Sequence, residues 1–359
     1  MCFLIFFFGR NNSHAQHLSP NFNPQEYSEL LKLAERLADT PWTKVKSKLP
    51  ISYSLIYRSK ETGLQNRWDL WQRQDSVGII VIRGTNGTAT SWLENFYAGM
   101  IPAYGVVHLN DSTIVPYKVA ADTLAYVHAG WMLGVAAIGP EIIRKIKEYY
   151  RQGIHEYIIF GHSQGGAISL LLRSYLAYTP ELPKDLVFKT YASAAPKPGN
   201  TNYAYDFDYL NRGGWAMRIV NTRDWVPETP FSLQTSKDFP SINPFAHVKG
   251  TLKHQKWPVR TALGYMYSRL NRPPRIAARR MQKILGKVAY KRVKKILPEY
   301  QRPSFAPSHN YTPAGTPVVL YPVKGYDEKF IFDGKNIFLH HSLEAYRWEL
   351  EQIYQINAY

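Results

Sequence analysis

Short apolar runs recur along the chain and are separated by segments whose apolar residues repeat at helical spacing. A continuous apolar run bounded by turn residues predicts a buried strand, whereas apolar residues three or four positions apart predict a helix with one buried face. The alternation of strands and helices indicates a mostly parallel sheet with crossover helices on both faces, and therefore an α/β fold. The predicted strands are 51–58, 67–73, 77–82, 157–160, 186–192 and 215–220.

The same pattern predicts helices near the start, in the middle and at the end of the chain. Residues 27–37 form one helix, 120–150 a long helix or helix pair interrupted near Gly139 and Pro140, and 341–354 a closing helix. The runs 318–321 and 330–332 predict a hairpin before the closing helix.

The pattern changes between about residues 243 and 308, where the chain is basic and rich in proline. From Lys249 to Arg302 there are sixteen lysines and arginines against one acid, Glu299, so this stretch holds nearly all of the net charge of +17. We interpret it as a helical insertion into a single domain spanning 16–359. Its core, 276–297, predicts an amphipathic helix with one apolar side, made of Met281, Ile284, Leu285, Val288, Ile296 and Leu297.

Such a basic amphipathic helix is a candidate for peripheral contact with an anionic membrane surface. The alternative is that the apolar side packs on the domain and the charges are merely solvated. Nucleic acid is not an expected partner, because the only aromatic residue in 272–295 is Tyr290, which leaves little surface for base stacking.

Residues 1–8 form a short apolar block, and Ser13-His14-Ala15 resembles a cleavage site. These features predict a signal peptide over 1–15 and a secreted or periplasmic protein. A buried N-terminal strand or a misassigned start is the alternative. The only cysteine is Cys2, so the processed chain would form no disulfide, and no apolar run reaches the roughly 20 residues of a membrane-spanning helix.

The most informative local pattern is a serine between two glycines, Gly161-His162-Ser163-Gln164-Gly165, after an apolar run and before a helical segment. A strand that turns sharply into a helix leaves room only for very small neighbours and exposes the central side chain. The pattern predicts a nucleophile elbow with Ser163 as nucleophile and the Gln164 amide as an oxyanion donor.

An activated serine needs a histidine base, an acid that orients the histidine, and a second oxyanion donor. Asp224 follows a predicted buried strand and is the candidate acid. His341 and its neighbour His340 both follow the acid in the expected order, and chemistry alone does not separate them. Thr85, after the strand 77–82, is the candidate second donor.

Together these motifs resemble the class 3, or fungal-type, lipase family of the α/β-hydrolases. The likeness covers roughly 53–230 and the last twenty residues. It rests on Ile82-Arg83-Gly84-Thr85, Val127-His128-Ala129-Gly130-Trp131, 161–166, Ala195-Pro196-Lys197-Pro198-Gly199-Asn200, Asp224-Trp225-Val226-Pro227 and 341–346.

The resemblance implies a triad of Ser163, Asp224 and His341, with Thr85 and Gln164 lining the oxyanion hole. It selects His341 over His340 because the histidine of the family lies five positions before a tyrosine. It also implies that 88–97 takes the place of the lid of the family, with substrate-facing Trp92, Leu93 and Phe96. Two features depart from the family: Gln164 replaces the usual leucine, and the gap between acid and histidine is longer.

The predicted activity is that of a serine carboxylic ester hydrolase, most simply a lipase acting on acylglycerols or other lipid esters, with no metal or organic cofactor. Phospholipase A1 and polar-ester (feruloyl-type) esterase activities are alternatives within the same chemistry. A non-catalytic protein that binds membranes or polyanions is the alternative from another class. The sequence leaves the oligomeric state open.

Overall fold

The computed structural model describes residues 16–37, 45, 47–245 and 248–356, so the predicted signal peptide over 1–15 lies outside the described residues. The helices are α1 (Pro24–Ala34), α2 (Ala89–Phe96), α3 (Ala129–Tyr150), α4 (Gln164–Ala177), α5 (Thr201–Leu210), α6 (Val248–Leu252), α7 (Trp257–Met281), α8 (Ala289–Ile296), α9 (Tyr326–Lys329) and α10 (Leu343–Tyr354). The strands are β1 (Tyr53–Arg58), β2 (Trp68–Arg73), β3 (Val77–Ile82), β4 (Met100–Pro102), β5 (Tyr104–Asn110), β6 (Thr113–Lys118), β7 (Tyr126–His128), β8 (Glu156–His162), β9 (Val187–Ser193), β10 (Gly199–Asn200), β11 (Ala216–Asn221), β12 (Tyr311–Thr312) and β13 (Thr316–Leu320).

The main sheet has the strand order β1-β2-β3-β8-β9-β11-β13. β1, β2 and β3 are antiparallel, whereas β3, β8, β9, β11 and β13 run parallel to one another. This arrangement confirms the predicted α/β fold with a mostly parallel sheet. The carboxyl ends of β3, β8 and β11 lie at one edge, which is where open α/β sheets place their sites.

Helices cover both faces of this sheet, because neighbouring residues along a strand are buried in two different cores. Ile80 and Ile159 pack in the core that contains α3 and α4, whereas Ile79 and Ile158 pack in a second core with α1 and α10. Successive side chains of a strand point to opposite faces, so a strand that is apolar throughout must be covered on both sides.

Two smaller sheets accompany the main one: β12-β10-β7-β4, and the hairpin of β5 and β6. Strands β4 to β7 were not predicted from the sequence. The predicted helix over 120–150 begins only at Ala129, and it continues through Pro140 without a break. Ile138 and Ile142, on either side of Pro140, are both buried in the core. Packing on both sides of the proline offsets the loss of one backbone hydrogen bond.

The predicted hairpin of 318–321 and 330–332 was wrong. β13 instead pairs in parallel with β11, and Phe330 follows α9, where it packs on Tyr326 and Trp348.

The basic segment is helical from α7 through a π-helical segment, Gln282–Val288, to α8. The apolar side predicted for it was partly wrong. Ile284, Val288 and Ile296 are exposed, whereas Ala289, Val293 and Leu297 pack in the core, Gly286 is buried and Leu285 is half-buried. A π-helical turn holds more residues than an α-helical turn, so it rotates the buried face relative to a regular helix.

Candidate active site

The segment around Ser163 has the geometry of a nucleophile elbow. Ser163 joins β8 to α4 with φ 62° and ψ −130°, a conformation that costs free energy for a residue other than glycine. A Cβ atom on Gly161 would lie 2.1 Å from the Gly165 carbonyl oxygen, and one on Gly165 would lie 2.4 Å from the Ile82 carbonyl oxygen. Both glycines are therefore required for the turn, as the sequence pattern predicted.

Asp224 and His341 are in direct contact across 117 residues of sequence. His341 Nδ1 lies 2.6 Å from Asp224 Oδ2, and the aspartate side chain is completely buried. The other aspartate oxygen, Oδ1, accepts a hydrogen bond from the Val226 amide at 2.9 Å. The Tyr346 hydroxyl donates to Asp224 Oδ2 at 2.9 Å. These donors hold the carboxylate in the orientation that fixes the imidazole ring of His341.

The structure separates the two adjacent histidines. His340 Nδ1 lies 3.0 Å from the Tyr326 hydroxyl, and its ring stacks on Tyr326 rather than facing Asp224. Among the other histidines that follow Asp224, His309 is buried and its ring has no hydrogen-bond partner within the described chain, His254 is exposed, and His247 lies outside the described residues. Among the described histidines, His341 is the one placed next to the predicted acid.

His162 has a role that the sequence analysis missed. Its Nε2 lies 2.8 Å from the His341 carbonyl oxygen, and its Nδ1 lies 2.9 Å from Ser193 Oγ. Burial lowers the pKa of His162 to about 3, so the ring is neutral at physiological pH. A neutral ring that donates from Nε2 and accepts at Nδ1 satisfies both contacts. His162 therefore anchors the backbone of His341 beside the elbow. A histidine next to the nucleophile was visible in the sequence, but its distant partner was not.

Ser163 and His341 line one cavity of about 680 Å³ at the carboxyl edge of the sheet. No hydrogen bond joins their side chains within the described structure; in free enzymes such bonds are often long and tighten only when substrate binds. Apolar side chains make up much of the cavity wall. They include Trp92, Phe96, Trp131, Trp225, Phe231, Met281, Leu285, Phe338 and Leu343.

Thr85 and Gln164 lie on the same cavity, where the sequence analysis placed the oxyanion donors. Gln164 is the first residue of α4, so its amide has no partner within the helix. Asn95 Nδ2 donates to Thr85 Oγ1 at 2.9 Å, and Asn95 Oδ1 accepts from Trp131 Nε1 at 3.0 Å. These contacts fix the loop after β3 next to the elbow.

Gln164 stands where the family has a leucine. Its side-chain amide is bound to neighbouring residues of α2. Its Nε2 donates to Glu94 Oε2 at 3.1 Å and to the Ser91 carbonyl oxygen at 3.2 Å. Asn66 Nδ2 also donates to Glu94, at 3.0 and 2.9 Å to its two oxygens. Glu94 is completely buried, and burial raises the pKa of its carboxyl group to about 8.

The residues predicted for the lid have different environments. Trp92 and Phe96 line the cavity, whereas Leu93 packs on the core and is not part of the cavity wall. Because Glu94 ties α2 to the elbow, moving α2 away from Ser163 would break buried hydrogen bonds. In this structure α2 is an attached wall of the cavity.

The basic segment also reaches the site, which the sequence analysis did not predict. Met281 and Leu285 line the cavity, and the Gly99 amide donates to the Leu285 carbonyl oxygen at 3.0 Å. A Cβ on Gly99 would lie 2.6 Å from the Gly286 Cα, so two glycines allow this close crossing of backbones. The helical run is therefore part of the site and not a separate appendage.

A parallel sheet, a strained serine elbow at its carboxyl edge and a buried carboxylate bound to a histidine define the protein as an α/β-hydrolase. The family model for lipase (class 3) matches residues 79–234. This segment contains the elbow and Asp224, and its match to the family model confirms the resemblance predicted from the motifs. The protein is therefore an ester hydrolase of the lipase type.

Solved structures similar to this chain include several lipases. Lipase II from Rhizopus niveus has 18% identity and a TM-score of 0.42, over 58% of this chain and 74% of that chain. A mono- and diacylglycerol lipase from Aspergillus oryzae has 17% identity and a TM-score of 0.43, over 59% and 76%. A Rhizomucor miehei lipase in a propeptide complex has 20% identity and a TM-score of 0.42, over 60% and 68%. At such identities and TM-scores these likenesses say nothing about the substrate. No curated protein matches the sequence.

Proposed function

We propose that the protein is a serine carboxylic ester hydrolase that acts on lipid esters through Ser163, Asp224 and His341. The observation that carries the proposal is that Ser163 lines the same apolar cavity as a histidine bound to a buried carboxylate. Asp224 holds His341 Nδ1, which leaves Nε2 free to accept the serine proton.

In this mechanism Ser163 Oγ attacks the acyl carbonyl carbon while His341 takes the proton from the hydroxyl. The oxyanion that forms accepts hydrogen bonds from the backbone amides of Thr85 and Gln164. The intermediate collapses, the alcohol leaves with the proton from His341, and an acyl-enzyme remains on Ser163. Water then attacks the acyl-enzyme with His341 as base, and the fatty acid is released.

The wall of the cavity supports a lipid substrate. Trp92, Phe96, Met281 and Phe338 offer an apolar surface to an acyl chain, and burying its methylene groups there contributes about 0.8 kcal/mol each. A polar-ester esterase is less favoured because this wall offers few hydrogen-bonding partners for a polar acyl group.

Phospholipase A1 activity is the second candidate. It is favoured by the basic helical segment, whose Met281 and Leu285 line the cavity.

No helix in the described part of the chain is long and apolar enough to cross a membrane. We include in the proposal a peripheral contact with an anionic membrane surface, and export directed by residues 1–15.

Initial rates on emulsified triacylglycerol, phosphatidylglycerol vesicles and a soluble short-chain nitrophenyl ester test this proposal, with Ser163→Ala as the blank. Hydrolysis of either lipid by the wild type, and none by the variant, supports it. Hydrolysis of the soluble ester alone would contradict the lipid substrate. No hydrolysis of any ester would contradict the proposal as a whole.

A further inference from the structure

The first half of the basic helical run carries an apolar stripe that the sequence analysis did not identify. Val259, Leu263, Met266 and Leu270 follow one another at intervals of four, three and four residues along α7. With 3.6 residues per turn, this spacing places them on one side of the helix. They are between 41% and 72% exposed, and Ala278 is the only residue of α7 that is buried within the described chain.

The stripe continues towards the catalytic cavity. From Leu270 the same spacing passes through Pro273 and Ala277 to Met281, which lines the cavity. Leu270 and Met281 are eleven residues apart, or about 16 Å along a helix that rises 1.5 Å per residue. One side of one helix thus links an exposed apolar surface to the cavity wall.

The charges around the stripe have a single sign. Residues 257–296 contain twelve lysines and arginines and no acidic residue. On the helical wheel Arg269 and Arg280 fall beside the stripe on one side and Arg260 on the other, whereas Arg272 and Arg279 lie on the opposite side of the helix. Exposed apolar residues flanked by basic ones are the arrangement of helices that lie in the interface of an anionic membrane.

We propose that α7 is the surface through which the protein docks on anionic lipid membranes, with the stripe of Val259, Leu263, Met266 and Leu270 inserted between the head groups. The charge complementarity selects an anionic bilayer as the partner. Because the stripe runs into the cavity at Met281, docking places the catalytic cavity at the lipid surface that supplies the substrate. This inference rests on the proposed function only for that last step; the docking itself does not require catalysis.

The test measures binding in a Ser163→Ala background, so that the vesicles are not hydrolysed. A charge variant carries Arg260→Gln, Arg269→Gln and Arg280→Gln, and a stripe variant carries Leu263→Gln, Met266→Gln and Leu270→Gln. The matched control changes three exposed basic residues elsewhere, namely Lys60, Arg151 and Lys184, to glutamine. Each protein is sedimented with phosphatidylglycerol vesicles and, separately, with phosphatidylcholine vesicles.

The parent and the matched control should bind phosphatidylglycerol more tightly than phosphatidylcholine. The charge variant should bind phosphatidylglycerol vesicles at least about tenfold more weakly than the parent does, since each basic residue near the surface adds to the attraction. Added salt should weaken the binding of the parent, and the stripe variant should lose the binding that persists at high salt. Equal binding by the charge variant and the control, or binding to a DNA duplex in place of vesicles, would overturn the proposal.

Rates on a soluble nitrophenyl ester, measured with the charge and stripe changes in the Ser163 form, separate the two proposals. Unchanged rates show that both variants are folded. Vesicle binding without ester hydrolysis in any form would contradict the proposed function and leave the docking surface standing. Ester hydrolysis without vesicle binding would contradict the docking surface and leave the proposed function standing.

Discussion

Gln164 Nε2 donates a hydrogen bond to Glu94 Oε2 at 3.1 Å, joining the first turn of α4 to α2. The two residues are 70 positions apart, and both are buried. A leucine in place of Gln164 could not make this bond, so the departure from the family at position 164 comes with a partner on α2. The pair attaches α2 to the elbow beside the proposed oxyanion donors.

Glu94 should make stability depend on pH. Its folded pKa of about 8 lies above the ordinary value of 4.5, so its stabilising effect is fully present below about pH 4.5 and is lost as pH rises through about 8. A pKa that is higher by one in the folded protein than in the unfolded chain corresponds to roughly 1.4 kcal/mol of stability. Glu94→Gln removes this titration. Thermal unfolding between pH 5 and pH 9 should show the Tm of the wild type falling relative to that of the variant. The exposed Glu328→Gln serves as control, and parallel curves for the wild type and Glu94→Gln would contradict the prediction.

The adjacent histidines should differ sharply. His341→Ala should lower kcat as much as Ser163→Ala, roughly 10⁴-fold or more, because Ser163 would lose the Asp224-oriented imidazole that takes its proton. His340→Ala should keep most of the activity, since its ring contacts Tyr326. The double variant Ser163→Ala/His341→Ala should be little worse than either single variant. Steady-state kinetics on the soluble ester decide the matter, and a larger loss in His340→Ala would move the base to that residue.

The close contact between the backbones at Gly99 and Gly286 should make a larger residue at position 99 destabilising. A methyl group on Gly99 would lie 2.6 Å from the Gly286 Cα and 2.9 Å from the Phe305 ring, so Gly99→Ala must displace the helical run. Overpacking of this kind typically costs about 1–3 kcal/mol. Because Met281 and Leu285 move with that run, KM for a long-chain ester should rise more than KM for a short-chain one.

Gly264→Ala in α7 is the matched control, because the nearest atom to its added Cβ is 4.0 Å away. Alanine is the better helix former, so this variant should be as stable as the wild type or more stable. Equal Tm values for Gly99→Ala and the wild type would show that the crossing is looser than the structure indicates.

Local patterns were enough to predict the main strands and the elbow. β3 and the central residues 157–160 of β8 are apolar because both faces of the sheet are covered, and the glycines beside Ser163 are required by the turn itself. Such features depend only on residues that are close together in the sequence, so a short stretch of sequence is enough to predict them.

Other features depend on contacts that sequence spacing does not record. Pro140 remains inside α3 because residues on either side of it are buried. The buried face of the basic segment was predicted from regular helical spacing, which the π-helical turn at Gln282–Val288 disrupts. The contacts of Gln164 with Glu94 and of His162 with the His341 carbonyl join distant segments, and no local pattern indicates them.

If His341 activates Ser163 as a nucleophile, a nitrophenyl phosphonate ester should label Ser163 covalently. Such an ester reacts with an activated serine and mimics the tetrahedral intermediate. Peptide mapping by mass spectrometry should find one adduct on Ser163 in the wild type, none in Ser163→Ala, and much slower labelling of Ser163 in His341→Ala. An adduct on another residue, or undiminished labelling of the His341→Ala variant, would contradict the account.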